Sequence, residues 1–236
     1  MNSCGIDEAG RGPMLGPLVI AGVLATSSQI KQLKKYGVRD SKKLTPIMRE
    51  KLYKKIISTV ENYHIVRIQP KTIDTSVKNH SLNHLEAKYM ARVILKLKPK
   101  VAFVDSCDTN PIRFGKEISQ LTKNSKIKSY HHADSKFTIV AAASILAKVS
   151  RDRTITRLKK KHDIGSGYPA DQKTVDFVRK SPAVLEIIKL SCESPIPSAP
   201  PSDFCIKTRI TSISANTTLM VSKIFSMTTN YRFFLL

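Results

Sequence analysis

The chain has 236 residues, 41% of them apolar, enough to bury the core of one good-sized domain and too apolar for a disordered chain. Forty Lys and Arg against eighteen Asp and Glu give a net charge of +22, and a surplus of that size points to a polyanionic partner. No run reaches the roughly 18 apolar residues of a membrane span. Asp7, Glu8 and Arg11 interrupt any secretory apolar core near the start, and the four cysteines have no CxxC spacing. A cytoplasmic protein with reduced thiols is therefore expected, without disulfides or a zinc site.

Cys4-Gly5-Ile6 leads into Asp7 and Glu8 as a strand carrying acids into a sheet would, and a Gly/Pro-rich turn from Gly10 to Pro17 precedes a second strand, Leu18 to Leu24. Ile30 and Leu33 begin a short amphipathic helix that Gly37 ends. Thr45-Pro46 is an N-cap followed by an N1 proline, opening a helix whose apolar face reads Ile47, Leu52, Ile56 and Val60. Residues 63–70, YHIVRIQP, alternate like a half-buried strand, and 81–97 read as a helix capped by Ser81. KVAFVDSCD is a β-rich run delivering Asp105 at its end; after a basic loop and a helix, KIKSYHHADSK brings a strand edge to Asp134. A long helix follows from Thr138, with Ile145, Leu146, Val149 and Leu158 at helical spacing, then the loop GSGYPAD and a helical segment from Thr174 to Lys180. Strands alternate with helices, so the class is α/β.

Composition changes near Ser191. Residues 191–236 hold six charged side chains, eight serines, six threonines and four prolines, while the first 190 carry +20 of the charge. A domain over 1–190 and a divergent Ser/Thr/Pro-rich tail over 191–236 are expected.

Asp7, Glu8, Asp105 and Asp134 each stand where a strand or strand-proximal loop ends. Carboxylates gathered at one spot repel and hold their protons unless cations neutralise them. An oxygen-only donor set favours Mg²⁺ or Mn²⁺ over Zn²⁺, and two such ions can hold a scissile phosphate. From spacing alone, the same acids could equally be separate caps and surface charges. His80 and His84 lie four apart with no third ligand, which reads as ordinary surface or capping histidines, and His131 and His132 sit just before Asp134. Arg151, Arg153, Arg157 and Lys159 to Lys161 either flank a duplex or form a solvated helix end, and Lys148 either approaches the acids or covers apolar surface.

The segments GIDEAGRGPMLGPLVIAGV, RDSKKLT, AFVDS, HHADSK, VAAASILAKVSRDR and GYPAD, in this order over roughly residues 3–180, strongly resemble ribonuclease HII, the type 2 ribonuclease H, in its archaeal single-subunit form. The resemblance implies a ribonuclease H-like fold: a mixed central sheet flanked by helices, with a small helical C-terminal part. It places the family's four metal-binding acids on Asp7, Glu8, Asp105 and Asp134, holding two Mg²⁺ or Mn²⁺ ions. Gly10, Arg11 and Gly12 match the loop whose backbone reads the 2′-hydroxyl of the ribonucleotide downstream of the cut, where only glycine lets backbone approach a sugar closely. Tyr168 matches the tyrosine that packs on the following deoxyribose, and Ser41 and Lys42 match residues that hold backbone phosphates.

The implied reaction is hydrolysis 5′ to a ribonucleotide in RNA/DNA hybrids or ribonucleotide-containing duplex DNA, leaving 3′-hydroxyl and 5′-phosphate ends, as in removal of RNA primers or misincorporated ribonucleotides. A monomer is expected. The alternative is a non-catalytic nucleic-acid-binding protein on the same scaffold. The tail departs from the family pattern and there is no tryptophan anywhere. Its last residues, Tyr231 to Leu236, are faintly similar to a sliding-clamp docking motif, with Met227 and Asn230 where glutamine and an aliphatic residue would stand.

Overall fold

A computed structural model of the chain describes residues 2–180, apart from 40, 69, 124 and 125. The expected boundary near residue 190, the 191–236 tail and its clamp-like end lie outside the described residues. Strands β1 (Asn2–Ala9), β2 (Val19–Thr26), β3 (Asn62–Arg67), β4 (Val101–Asp105) and β5 (Lys126–Tyr130) form one sheet in the order β3-β2-β1-β4-β5. β1, β2 and β3 run antiparallel as a meander, while β4 and β5 join parallel to β1, pairing Ser3 with Val101 and Ile6 with Val104. The helices are α1 (Ser27–Lys35), α2 (Pro46–Thr59), α3 (Pro70–Lys78), α4 (Leu82–Leu97), α5 (Pro111–Thr122), α6 (Ala133–Lys136), α7 (Thr138–Lys159) and α8 (Gln172–Lys180). This is the mixed, helix-flanked α/β sheet expected from the sequence, and α8 is a helix beyond it. Among the described residues no helix is long and apolar enough to cross a membrane.

Side chains on a strand alternate between faces, and each face of this sheet carries its own helical layer. On one face, Cys4 and Ile6 of β1 pack with Met90, Ile94 and Leu97 of α4 and Phe114 and Ile118 of α5. On the opposite face, Val19, Ala21 and Val23 of β2 pack with Val140 to Ala143 of α7 and Leu52 and Ile56 of α2. The alanine run lets α7 lie close over β1, and Gly5 completes the fit. A Cβ at Gly5 would stand 2.3 Å from the Ile139 carbonyl oxygen, backbone against backbone. Gly5→Ala should therefore cost about 1–3 kcal/mol, seen as a melting temperature several degrees lower.

Thr45 accepts a hydrogen bond from Met48 N with Pro46 behind it, so α2 starts as its cap predicts. Its core face is Leu52 and Ile56; Ile47, expected on that face, is 70% exposed at the helix start and borders a groove with Arg67 and Arg153. Ser81 stands at the N-cap of α4 as expected, but its hydroxyl makes no cap hydrogen bond and donates backwards to the Ser76 carbonyl. Pro70 ends the β3 run by opening α3, a helix the alternation gave no sign of. Asp134 sits on the single turn of α6 rather than on a strand edge.

Candidate active site

β1 and β4 are parallel neighbours, so their last residues emerge at one edge of the sheet. Asp7 lies near the end of β1, Asp105 is the final residue of β4, and α6 folds back after β5 to bring in Asp134. One carboxylate oxygen from each of the three lies within 4.8 Å of the others. Asp7 and Asp134 are buried and Asp105 partly so. Local donors hold the group in place. Glu8 N donates to Asp7 Oδ1 at 2.7 Å, Ala133 N donates to Asp105 Oδ1 at 2.8 Å, and Lys42 Nζ lies 3.9 Å from Asp134 Oδ2.

Electrostatics show what such packing costs without a cation. Burial, then the charge of Asp105, raises the Asp7 carboxyl to about 8, against opposing hydrogen bonds from Ser144 and Glu8 N. Burial also raises Asp105, partly offset by the Ala133 N–H. Lys148 of α7 is lowered by burial and by the cations of Arg49 and Lys42, while Asp7 and Asp134 act the other way. It therefore stands near the acids as well as on apolar ground.

Glu8 points the other way, as strand alternation requires for neighbours. It is not among the three converging oxygens; its surroundings are Asp7, Glu86 of α4, Asp105 and Arg11. Burial and the first three of these push its carboxyl well above the ordinary range, and its Oε2 is buried with no hydrogen-bond partner. Three clustered carboxylates plus an unsatisfied fourth nearby form an all-oxygen donor set suited to a hard divalent cation. The residues fit such an ion.

The turn after β1 is held from inside. Gly10 has φ +107°, and a Cβ there would sit 1.9 Å from the Pro17 carbonyl oxygen; Gly12 has nothing within 4 Å of that position. Arg11 turns inward, donating to the Cys107 carbonyl and Asn83 Oδ1, each at 2.6 Å, with Nε 3.5 Å from buried Glu86. The Arg11 guanidinium is thus held by the protein, and Gly12 is left exposed at the surface. Ser41, expected at a phosphate, is fully buried and shares a 2.9 Å hydrogen bond with Ser144, whose hydroxyl also bonds Asp7; its side chain supports the acids from below. Lys42 remains at the surface beside Asp134. Tyr168 is 46% exposed, and the Arg151 guanidinium carbon lies 4.9 Å from its ring centroid.

Arg151 is itself buried, so it is not part of a solvated basic face, and Arg153 is engaged bidentately by Glu50. His84 pairs with Glu117, and His131 bonds the Thr109 carbonyl, so neither joins the acid group. His132 supports it at a distance, slightly lowering Asp105. Glu86 was not anticipated, although it left a signal. It lies on the stripe that continues through Met90, Val93 and Leu97, and a carboxylate on an apolar stripe needs a buried partner, here Arg11.

The family model for ribonuclease HII matches residues 4–191. The chain belongs to the ribonuclease HII family. A ribonuclease HII from Cenarchaeum symbiosum is 57% identical over 176 residues, covering 75% of this chain and 85% of that protein. Among solved structures, ribonuclease H2 from Pyrococcus horikoshii superposes with a TM-score of 0.72 at 42% identity, over 78% of this chain and 89% of that one. RNase HII from Archaeoglobus fulgidus, solved as a complex with PCNA, gives 0.72 at 37% identity, over 85% and 94%. The protein is thus a metal-dependent endoribonuclease of the ribonuclease H type, acting on nucleic acid on a ribonuclease H-like fold.

Proposed function

We infer that this ribonuclease HII cuts the phosphodiester on the 5′ side of a ribonucleotide, in RNA/DNA hybrids and in duplex DNA with embedded ribonucleotides, leaving 3′-hydroxyl and 5′-phosphate ends. The observation that carries this is the convergence of Asp7, Asp105 and Asp134 beside a loop that presents glycine backbone. In a chain of +22 net charge, three clustered acids next to a polyanion would repel it unless cations stood between. Asp7, Asp105 and Asp134, with Glu8 closing from the far side, would hold two Mg²⁺ or Mn²⁺ ions, which supply Lewis-acid polarisation of the phosphate and an ionised water.

The chain's own residues do the rest. Ser144 and the Glu8 N–H orient Asp7, and the Ala133 N–H orients Asp105. Gly10 and Gly12 offer backbone groups to the ribose 2′-hydroxyl, with Arg11 anchoring the loop through Glu86 and Asn83. Lys42 takes a neighbouring phosphate as a point charge, and exposed Tyr168 lies against the next sugar, where a 2′-hydroxyl would crowd its ring. Since the relative from Archaeoglobus fulgidus was solved with PCNA, docking of this chain on a sliding clamp during primer or ribonucleotide removal belongs to the same reading.

The test is a duplex bearing one ribonucleotide, incubated with Mg²⁺, Mn²⁺ or EDTA. Cleavage 5′ to the ribonucleotide with either metal and none in EDTA is expected; no cleavage with any divalent ion would leave a nucleic-acid-binding scaffold. Tyr168→Ala should reduce preference for a ribonucleotide followed by DNA about tenfold, measured as the ratio of kcat/KM on that substrate to kcat/KM on a uniform hybrid. An unchanged ratio would remove Tyr168 from the substrate.

A further inference from the structure

We propose that Arg151 is a positioning residue that fixes the distance between the Gly10–Gly12 loop and Tyr168, and so sets preference for an RNA-to-DNA step. This rests on the substrate contacts proposed for that loop and for Tyr168.

Arg151 is 3% exposed, yet its guanidinium has few partners. Nη2 donates to the Leu15 carbonyl at 3.1 Å, Nη1 lies 3.7 Å from Asp152, and buried Nε has no acceptor. A guanidinium in that state is costly, and an apolar side chain of similar length would pack there at less expense. Its chemistry must serve something besides stability.

Its surroundings show what. A Cβ on Gly10 would meet Arg151 Cδ at 3.2 Å, and Cβ atoms on Gly16 and Gly167 would lie 3.8 and 3.5 Å from Nη2. All three glycines have positive φ, so both loops curl around the arginine in shapes other residues rarely adopt. The loops are also tied directly, since Met14 N and Leu15 N both donate to the Gly167 carbonyl, at 2.7 and 3.0 Å. Tyr168 is the next residue, and the guanidinium lies over its ring. One planar cation thus binds the turn after β1 through Leu15 and supports the ring that comes after Gly167. The turn and the ring are two points of a fixed ruler: one reads a ribose, the other the sugar after it. Lysine could not span both, because a single ammonium lacks the flat fork that can bond a carbonyl while stacking on a ring.

Cleavage of a single-ribonucleotide duplex and of a uniform RNA/DNA hybrid should be measured for the full chain, Arg151→Lys, Arg151→Met, Tyr168→Ala and the Arg151→Lys/Tyr168→Ala double variant. Both Arg151 variants should lower the preference ratio by about five- to tenfold, close to the value for Tyr168→Ala. On the hybrid, kcat should fall less than the ratio does. The double variant should be no worse than Tyr168→Ala alone, because the two residues act as one unit. If Tyr168→Ala loses the preference while Arg151→Lys and Arg151→Met keep it, the inference is overturned and the role of Tyr168 stands. If kcat on both substrates falls in equal measure in the Arg151 variants, Arg151 merely supports the fold, and the inference again fails. If Tyr168→Ala keeps the wild-type ratio, the underlying reading of the tyrosine is at fault instead. Should Arg151→Met not fold by circular dichroism, Arg151→Lys decides alone, and an unchanged ratio there overturns the proposal.

Discussion

Asp7→Asn is expected to lose at least about 10³-fold in cleavage rate, on the order of 4 kcal/mol of transition-state stabilisation, while making the metal-free protein more stable. Asparagine keeps an oxygen for the Glu8 N–H but removes a charge whose burial the Ser144 and Glu8 N hydrogen bonds only partly offset when cations are absent. Proton uptake sets the sign. The Asp7 carboxyl ordinarily titrates at 3.8, and in the folded protein burial and Asp105 move it to about 8. Between those values the folded state binds more protons than the unfolded one, so stability falls as pH rises. The contribution is full below about pH 4 and is lost once pH passes about 8. The variant, permanently neutral there, should match the wild type near pH 4 in EDTA and melt several degrees higher than it at pH 8. Mg²⁺ or Mn²⁺ should raise the wild-type melting temperature at pH 8 and do little for the variant. A variant that keeps a tenth of the activity, or melts lower than wild type at pH 8 in EDTA, would remove Asp7 from the metal site.

Gly10→Ala should be the next most damaging change at the site. Its Cβ would lie 1.9 Å from the Pro17 carbonyl oxygen and 2.9 Å from the carbonyl carbon, and φ is +107°. Backbone collides with backbone, so the turn must move, and a displacement of about 1 Å near reacting groups can cost roughly 10² in rate. A drop of that size in kcat/KM is expected, with a melting temperature several degrees lower from strain of about 1–3 kcal/mol. Gly12→Ala is the control, because its Cβ would enter open space. It should melt like the wild type and raise KM for ribonucleotide substrates, since the methyl group lies where the sugar would approach. Wild-type kinetics in Gly10→Ala would show that the turn's shape is not required.

Much of this site was readable in order along the chain, because the relevant signals are local. Asp105 ends a β-branched and aromatic run, Thr45-Pro46 announces α2, and the alanines after Thr138 mark a helix that lies close on the sheet. What was not readable depends on pairing across long separations. No local pattern says that β1 lies between β2 and β4, so the convergence of Asp7 with Asp105 and Asp134 could only be expected from resemblance. The divergence of Asp7 and Glu8 was present in the period of a strand, but the two acids read as one unit while their faces were unknown. Ser41 and Arg151 look like surface residues by type, and only α7 turns both inward, the first against Ser144 and the second against Leu15. Ile47 failed for the converse reason. It is apolar, yet it sits on the first turn of α2, where the core no longer reaches.

The parallel pairing of β1 with β4 also has a bearing on biosynthesis. The first strand leaves the ribosome early, but its neighbour starts at Val101 and the helix that covers it at Thr138. The Ser41–Ser144 bond closes over 103 residues and the Arg151–Leu15 bond over 136. Such remote closures come late in folding. An emerging chain can form the β1–β2–β3 meander and remain inert as a nuclease until its last long helix has cleared the exit tunnel.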